Sequence, residues 1–533
     1  MVHRLFEDID MLSLIGIPSV NKITYEVNKL EKDKNKELLT VFIENIKFLY
    51  EEELEKVAEM PIWDEDAYNG DDGFGADGFG AYVLPDYNDP RYKLRYSYTF
   101  SERVNWKNIR TYNEIRFGDL KLYSTFIDIN LLLELIEYNV HVTGTLDLRH
   151  NYMPILHENF INKFTIGENL LLREISLEIL PNNFCEINIG NNIDLSWNHI
   201  EDLPESIKDL KINGYLDLSN NWIVVLSETF SGIKTKDLIL SYNEIERLPN
   251  SFWNINLCIL DLSHNYLKNL PEIFSEFKIE FLDLSNNLLE ELPNSFWNIN
   301  VDSLYLSNNK LEKLPDSFWD INVYDVLDLS SNHLKEIPEI PEIYSELNIG
   351  SLYLSNNQLE KLPDSFWDIN VYDVLDLSSN HLKELPNKFK NIKLNSLNLS
   401  FNQLKRLPNK FGEICINGNL DLSNNMLEKL PKEFGAINVG GSMLLNNNLL
   451  KKIPLSFSKG SVGDSLYLNS NKIDNLDESF KDFTFSGVVD LSFNIDIFSK
   501  RNKFSKKKLK KWFNCLVSES GSDSETKSAS NSD

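Results

Sequence analysis

The residues of this chain that could carry chemistry are few and scattered. Catalysis needs a nucleophile, an acid, a base or a ligand set converging on one pocket. Eight histidines and four cysteines are the obvious suppliers. His199, His333 and His381 each follow an asparagine that recurs at regular intervals, and His264 precedes one, so all four hold variable positions of a pattern. Cys258 and Cys415 stand just ahead of short apolar segments and read as small core residues; Cys185 and Cys515 have no cysteine close in sequence. A glycine-rich phosphate loop with its lysine is missing, as are a His-Glu-x-x-His motif and a paired-cysteine motif. The acidic, glycine-rich stretch 64–81, DEDAYNGDDGFGADGFGA, invites a calcium-loop reading. Tyr68 takes its fifth position and Gly75 its twelfth, where a bidentate glutamate is required, so the EF-hand pattern fails and a surface loop is expected. No catalytic, metal or cofactor-binding residue is predicted, and no cofactor.

The elements behind these residues are a repeat. From residue 190 onward the chain restates L-x-L-S-x-N-x-L-x-x-L-P-x-x-F, as in Leu304-Tyr-Leu306-Ser-Asn-Asn309-Lys-Leu311-Glu-Lys-Leu314-Pro315. The repeat asparagines are Asn198, Asn221, Asn243, Asn265, Asn287, Asn309, Asn332, Asn357, Asn380, Asn402, Asn425, Asn448, Asn471 and Asn494. A period of roughly 20–30 residues signals a solenoid and overrides the several domains that 533 residues would suggest. L-x-L is a strand with two inward residues around one outward residue. Neighbouring copies lay such strands in a parallel sheet, because one repeat cannot bury its leucines alone. An asparagine at each bend can turn inward and bond backbone groups left unpaired there, so the fourteen are predicted to form a structural ladder. The Leu-Pro step favours a short extended or 3₁₀ return over a long helix. Phe230, Phe252, Phe274, Phe296, Phe318, Tyr344, Phe366, Phe389 and their successors then stack in the core. The three-residue excess at Ile337-Pro-Glu-Ile-Pro341 should bulge on the return side and leave strand register intact.

What remains for function is the outward residue of each L-x-L. Of the fourteen, eight are aspartates and three are tyrosines. Asp261, Asp283, Tyr305, Asp328, Tyr353 and Asp376 are the candidate protein-binding residues. One reading has the aspartates merely keep a surface solvated. The other makes an acidic face dotted with tyrosines, which supply rigid contact area and a polar handle. Residues 190–496 hold 44 acidic and 25 basic residues, a net of -19 out of the chain's -28. A partner with a basic surface is therefore expected, and nucleic acid is excluded as a partner of the array by repulsion.

The quoted pattern resembles the leucine-rich repeat family, and most closely the 23-residue type of intracellular Ras-pathway scaffolds and bacterial effector ligases. That resemblance implies an α/β leucine-rich repeat solenoid, right-handed and curved, with the parallel sheet on its concave face. It also implies protein–protein interaction. The effector ligases add a helical domain with a catalytic cysteine, for which the 18 residues after Cys515 leave no room. Near-identical copies such as NSFWNIN at 250–256 and 294–300 also resemble the repeat proteins of giant DNA viruses.

Around the array the pattern fades. Leu146-Asp-Leu148-Arg-His-Asn151 fits, and Phe164-Thr-Ile166-Gly-Glu-Asn169 is a degenerate fit, so 141–189 are expected to be atypical N-terminal repeats. Residues 1–140 do not repeat; apolar spacing predicts a helix over about 29–60, stopped at Pro61. Residues 500–511, KRNKFSKKKLKK, carry no acid and suggest a basic C-terminal cap over 497–516, with a disordered tail at 517–533. No run of about 18 apolar residues suggests a membrane span, and the acidic N-terminus makes a poor signal peptide. A cytoplasmic protein is expected (host cytoplasm, if viral). The function expected is a non-catalytic protein–protein interaction module that binds on its acidic concave face. The alternative is a substrate-recruiting subunit of a ubiquitin ligase or signalling assembly docked through 1–140; an enzyme within 1–140 is a third.

Overall fold

Leucine alternation builds one long sheet. The computed structural model describes residues 24–26, 114–117, 119–121, 139–272, 277–342, 348–388 and 392–494. Within them, strands from Asp119–Lys121 to Val489–Asp490 pair in parallel, each with the next along the chain. Thr24–Glu26 lies antiparallel against Asp119–Lys121 and closes the first edge, so the sheet has 18 strands. The inward leucines, such as Leu304 and Leu306, are fully buried and form one continuous core.

Each rung returns through a short 3₁₀ turn. In Asp316–Asp320 the carbonyl of Pro315 accepts the Phe318 N–H at 2.9 Å, a position where the missing proline N–H leaves nothing unpaired. The phenylalanines stack from rung to rung: Phe230 on Phe252 at 6.3 Å, Phe411 on Phe434 and Phe434 on Phe457 at 5.9 Å. Phe274, Tyr344 and Phe389 lie outside the described residues, as do the expected helix 29–60, the loop 64–81, the basic segment 500–511, Cys515 and the tail.

A second ribbon precedes the main sheet in many rungs. Asn188–Ile189 belongs to a four-stranded parallel sheet, and Cys415–Ile416 and Asn438–Val439 to a five-stranded one. Lys278–Asp283, Asn300–Tyr305 and Asn322–Asp328 run through ribbon and main sheet together. The cause is a local alternation: in Ile321-Asn322-Val323 both aliphatics are buried and the asparagine is exposed. A register shift between Asn300–Tyr305 and Asn322–Asp328 absorbs the extra residue where the period changes from 22 to 23. Across the Pro338–Pro341 excess, Val326, Leu327 and Asp328 still pair with Ser351, Leu352 and Tyr353.

Three expectations change. The parallel ladder continues above residue 141: Leu120 and Lys121 pair with Leu146 and Asp147, and Glu114–Phe117 pairs with Asn139–Val142. The rung read at 164–169 is out of frame. Phe164–Ile166 belongs to the second ribbon, and the main-sheet strand is Leu170–Leu171, paired with Leu146–Asp147 and Ile193–Asp194. Ile175 therefore takes the asparagine position, and Asn169 instead bonds Thr145 Oγ1 at 2.9 Å ahead of the strand. Finally, Cys415 is exposed and Cys258 half-buried, not core. Cys415 fills the outward place between buried Ile414 and Ile416.

Candidate binding face

Two polar columns run across the rungs, and their surroundings differ. The first is the asparagine column. Asn309 is 5% exposed; its Nδ2 donates to the carbonyls of Leu284 in the preceding rung (2.9 Å) and Leu306 in its own (3.1 Å), while its Oδ1 accepts the Leu289 N–H (3.0 Å). The same exchange recurs from Asn198 to Asn494, at 2.9–3.1 Å for the bonds to the preceding rung at both ends. Each side chain thus ties its rung to the one before it.

The second column is the outward residue of L-x-L. Pairing puts Asp194, Asp217, Ile239, Asp261, Asp283, Tyr305, Asp328, Tyr353, Asp376 and Asn398 side by side in register. All six candidate residues stand in it, half-buried. Strands are about 4.8 Å apart, so these side chains are nearest neighbours. The column begins earlier than residue 190: Asp147 pairs with Leu171, and Leu171 with Asp194. There Arg149 grips the Asp147 carboxylate with two bonds of 2.9 and 2.8 Å and neutralises it.

The aspartates also have a structural task. The Oδ1 of Asp261, Asp283, Asp328 and Asp376 accepts the N–H of the serine two residues on, at 2.9, 2.8, 2.9 and 2.9 Å. Asn398 makes the same bond to Ser400 at 3.1 Å. Leu-Asp-Leu-Ser is therefore a local Asx-type turn that ends the strand. Electrostatics cut against two of the column's carboxylates. Burial raises the proton affinity of Asp283 and of Asp217; the serine bonds offset part of this, and the neighbouring Asp261 or Asp194 adds to it. Burial, followed by Asp325, Asp283 and Asp328, pushes the Tyr305 phenol above its ordinary value. The column is a row of closely spaced carboxylates interrupted by tyrosines.

Beyond the last strand residue lies a set of exposed aromatics that the sequence reading did not single out, among them Trp197, Trp222, Tyr242 and Tyr266. Trp197 and Tyr242 take the residue before the ladder asparagine, a position marked by its left-handed backbone rather than by residue type, and Trp222 and Tyr266 take the residue after it. Among the described residues no cluster of three or more His, Cys, Asp or Glu is placed to hold a metal ion, and no helix is long and apolar enough to cross a membrane.

The stacked rungs, the parallel ladder and the buried asparagine column define a repeat solenoid. The leucine-rich repeat family model matches residues 256–277, 278–299, 300–321 and 348–369. The chain is a leucine-rich repeat protein. Among solved structures it is similar to a leucine-rich repeat protein of Leptospira interrogans, at 25% identity over 66% of this chain and 95% of that one, with a TM-score of 0.47. It is also similar to YopM of Yersinia enterocolitica (20% identity, 69% and 83% covered, TM-score 0.41). A leucine-rich repeat protein of Bacteroides eggerthii reaches a TM-score of 0.50 at 18% identity, with 64% of this chain and 65% of that one covered, a likeness of fold. No curated protein sequence matches this chain significantly.

Proposed function

We propose that this chain is a non-catalytic protein–protein interaction module whose acidic sheet face holds a partner with a basic surface. The observation that carries the reading is the outward column, where Asp261 stands beside Asp283 and Asp328 beside Tyr353, half-exposed and in register. Burial has already raised the cost of charge at Asp283, so a cationic partner gains both attraction and relief of that cost. The tyrosines offer apolar contact that salt does not screen. Three free thiols, at Cys185, Cys258 and Cys415, favour a reducing compartment such as the cytoplasm.

The test is a fourfold Asp261→Asn, Asp283→Asn, Asp328→Asn and Asp376→Asn variant of the full chain. Asn398 shows that asparagine keeps the turn-ending bond, so the variant retains its fold. Proteins captured from lysate by the wild type should bind more weakly with rising salt, and the variant should lose them. Equal capture by both forms at low salt would falsify the acidic-face reading.

A further inference from the structure

The turn after each strand has one backbone geometry and, in several rungs, an ill-suited residue. From Trp197 to Phe493 the residue before each ladder asparagine has φ between 52° and 57°. Asparagine tolerates this left-handed region, and Asn220, Asn286, Asn308, Asn356, Asn424 and Asn447 occupy it; bulky residues do not. Trp197 and Tyr242 nevertheless take it. Core packing does not explain them, since Trp197 is 50% and Tyr242 52% exposed. A strained position held by a large, half-exposed ring points to use of the ring at the surface.

These two rings are not isolated. The next outward position after the asparagine carries Trp222 and Tyr266, 47% and 51% exposed. His199 lies 4.5 Å from Trp222, and His264 stacks on Tyr242 at 3.9 Å. Four consecutive rungs thus present two paired sets of rings, His199 with Trp222 and Tyr242 with His264, flanked by Trp197 and Tyr266, along a strip about 14 Å long at the spacing of strands. It borders the acidic column: Trp197 follows Asp194 by three residues, and Tyr242 and His264 precede and follow Asp261 by 19 and three. The two share an electrostatic field. Burial chiefly raises Asp217, and Arg173 lowers it in part; burial chiefly raises Asp283, and His264 lowers it in part. The molecule already shows what such a strip accepts. The Arg173 guanidinium stands 5.5 Å from the centre of the Trp197 ring, held by Glu174 at 3.2 Å.

We infer that the strip of Trp197, His199, Trp222, Tyr242, His264 and Tyr266 docks an extended, arginine-bearing segment of a partner protein. Guanidinium planes stack on the rings while their charge faces Asp194, Asp217 and Asp261. Arginine fits better than lysine because it is planar and weakly hydrated, and so stacks without losing a tight hydration shell. The inference rests on the basic partner proposed above and names the place and the side chain by which it is recognised.

The test compares labelled nona-arginine and nona-lysine peptides by fluorescence anisotropy on the full chain, at 0.15 and 0.5 M NaCl. A double variant, Trp197→Asn with Tyr242→Asn, installs the residue that other rungs use at this turn, so its melting temperature should not fall. Nona-arginine should bind the wild type more tightly than nona-lysine and keep that advantage at 0.5 M, where charge is screened. The double variant should weaken nona-arginine about tenfold and leave nona-lysine unchanged. A second variant, Trp222→Ser with Tyr266→Ser, lies off the strained position and should give the same loss, which keeps the test valid if the first variant melts early. Equal affinity for the two peptides, or no loss in either variant, overturns the inference. The fourfold aspartate variant separates the two proposals. Lysate capture lost with the aspartates but kept in both ring variants sinks the strip and leaves the acidic face standing. Arginine selectivity lost only with the rings, while capture survives aspartate removal, does the reverse.

Discussion

The asparagine column and the aspartate column repeat with the same period, four residues apart in each rung (Asp261 and Asn265, Asp283 and Asn287), yet they solve opposite problems. Asn309 is buried and spends both ends of its amide on backbone groups of two rungs. Asp283 is half-buried, spends one oxygen on the Ser285 N–H and keeps its charge near Asp261. A polar residue whose every hydrogen-bonding atom is satisfied inside is architecture. One that is under-satisfied, charged and within reach of solvent is available to a partner. Recurrence alone does not separate the two, because both columns recur.

Exchanging the residue types between columns breaks that comparison most sharply. Asn309→Asp places a carboxylate where Nδ2 faced the carbonyls of Leu284 and Leu306, so oxygen meets oxygen in a buried site. An uncompensated buried charge of this kind costs about 3–5 kcal/mol. Denaturant melts at pH 7 should show it. The folded carboxyl has its proton affinity raised by burial, so part of the loss should return as pH falls and the group goes neutral. Asn309→Ala is milder: it strands the Leu289 N–H and two carbonyls, at about 1–3 kcal/mol for a buried group left unpaired. Faster amide exchange at Leu289 is its local signature. Full stability in either variant would show that the ladder is not what couples these rungs.

The reverse exchange should have the opposite sign. Asp283→Asn keeps an oxygen for the Ser285 N–H, as Asn398 does for Ser400, and removes a charge that burial disfavours. The folded proton affinity of Asp283 is raised, so its contribution to stability is present below the ordinary carboxylate range and lost as pH rises through the folded value. The variant should therefore melt slightly higher than wild type at pH 7, by less than about 1 kcal/mol in stability, and no higher near pH 3. A gain that persists at pH 3 would assign the effect to something other than ionisation.

Much of this was legible in the residues because repetition averages out local ambiguity. The leucine alternation, the asparagine interval and the prolines gave the fold and the membership of the outward column. What escaped has physical causes. Leu-Asp-Leu-Ser was in plain view, but that its carboxylate bonds the serine N–H depends on how the chain turns after the strand. The second ribbon was written as Ile-Asn-Val, a period-two signal only three residues long. The rung at 170–172 was misframed because Ile175 replaces the asparagine that marks the frame elsewhere, and Asn169 stands nearby as a decoy. Upstream, Asp119–Lys121 joins the sheet without any repeat asparagine to announce it. The aromatic strip is invisible as a pattern, since its residues are split between the positive-φ place before the ladder asparagine and the place after it, with no residue type common to either.

The smallest effect is the control that decides whether position or total charge matters in binding. Glu312, Glu360 and Glu384 are as acidic as the column but lie well exposed past the asparagines, where each reaches a cation one rung on: Lys335 at 3.2 Å, Lys383 at 2.8 Å and Arg406 at 3.1 Å. Hydrogen bonding and attraction from Lys383 hold the Glu360 carboxyl below its ordinary value. Stability from a lowered group is present above the unfolded value and fades as pH falls through the folded one. Exposure and salt screening leave little of it to lose. Glu312→Gln, Glu360→Gln and Glu384→Gln together should therefore shift the melting temperature by no more than replicate scatter at 0.15 M salt. They remove three negative charges, close to the four removed from the column, yet those charges are already matched by neighbouring cations, while the four aspartates stand in register beside one another and the tyrosines. Partner capture should survive this triple change and fail with the fourfold aspartate change. Comparable losses from both variants would mean that the partner responds to the net charge of the molecule, and the column would then have no special claim as a binding site.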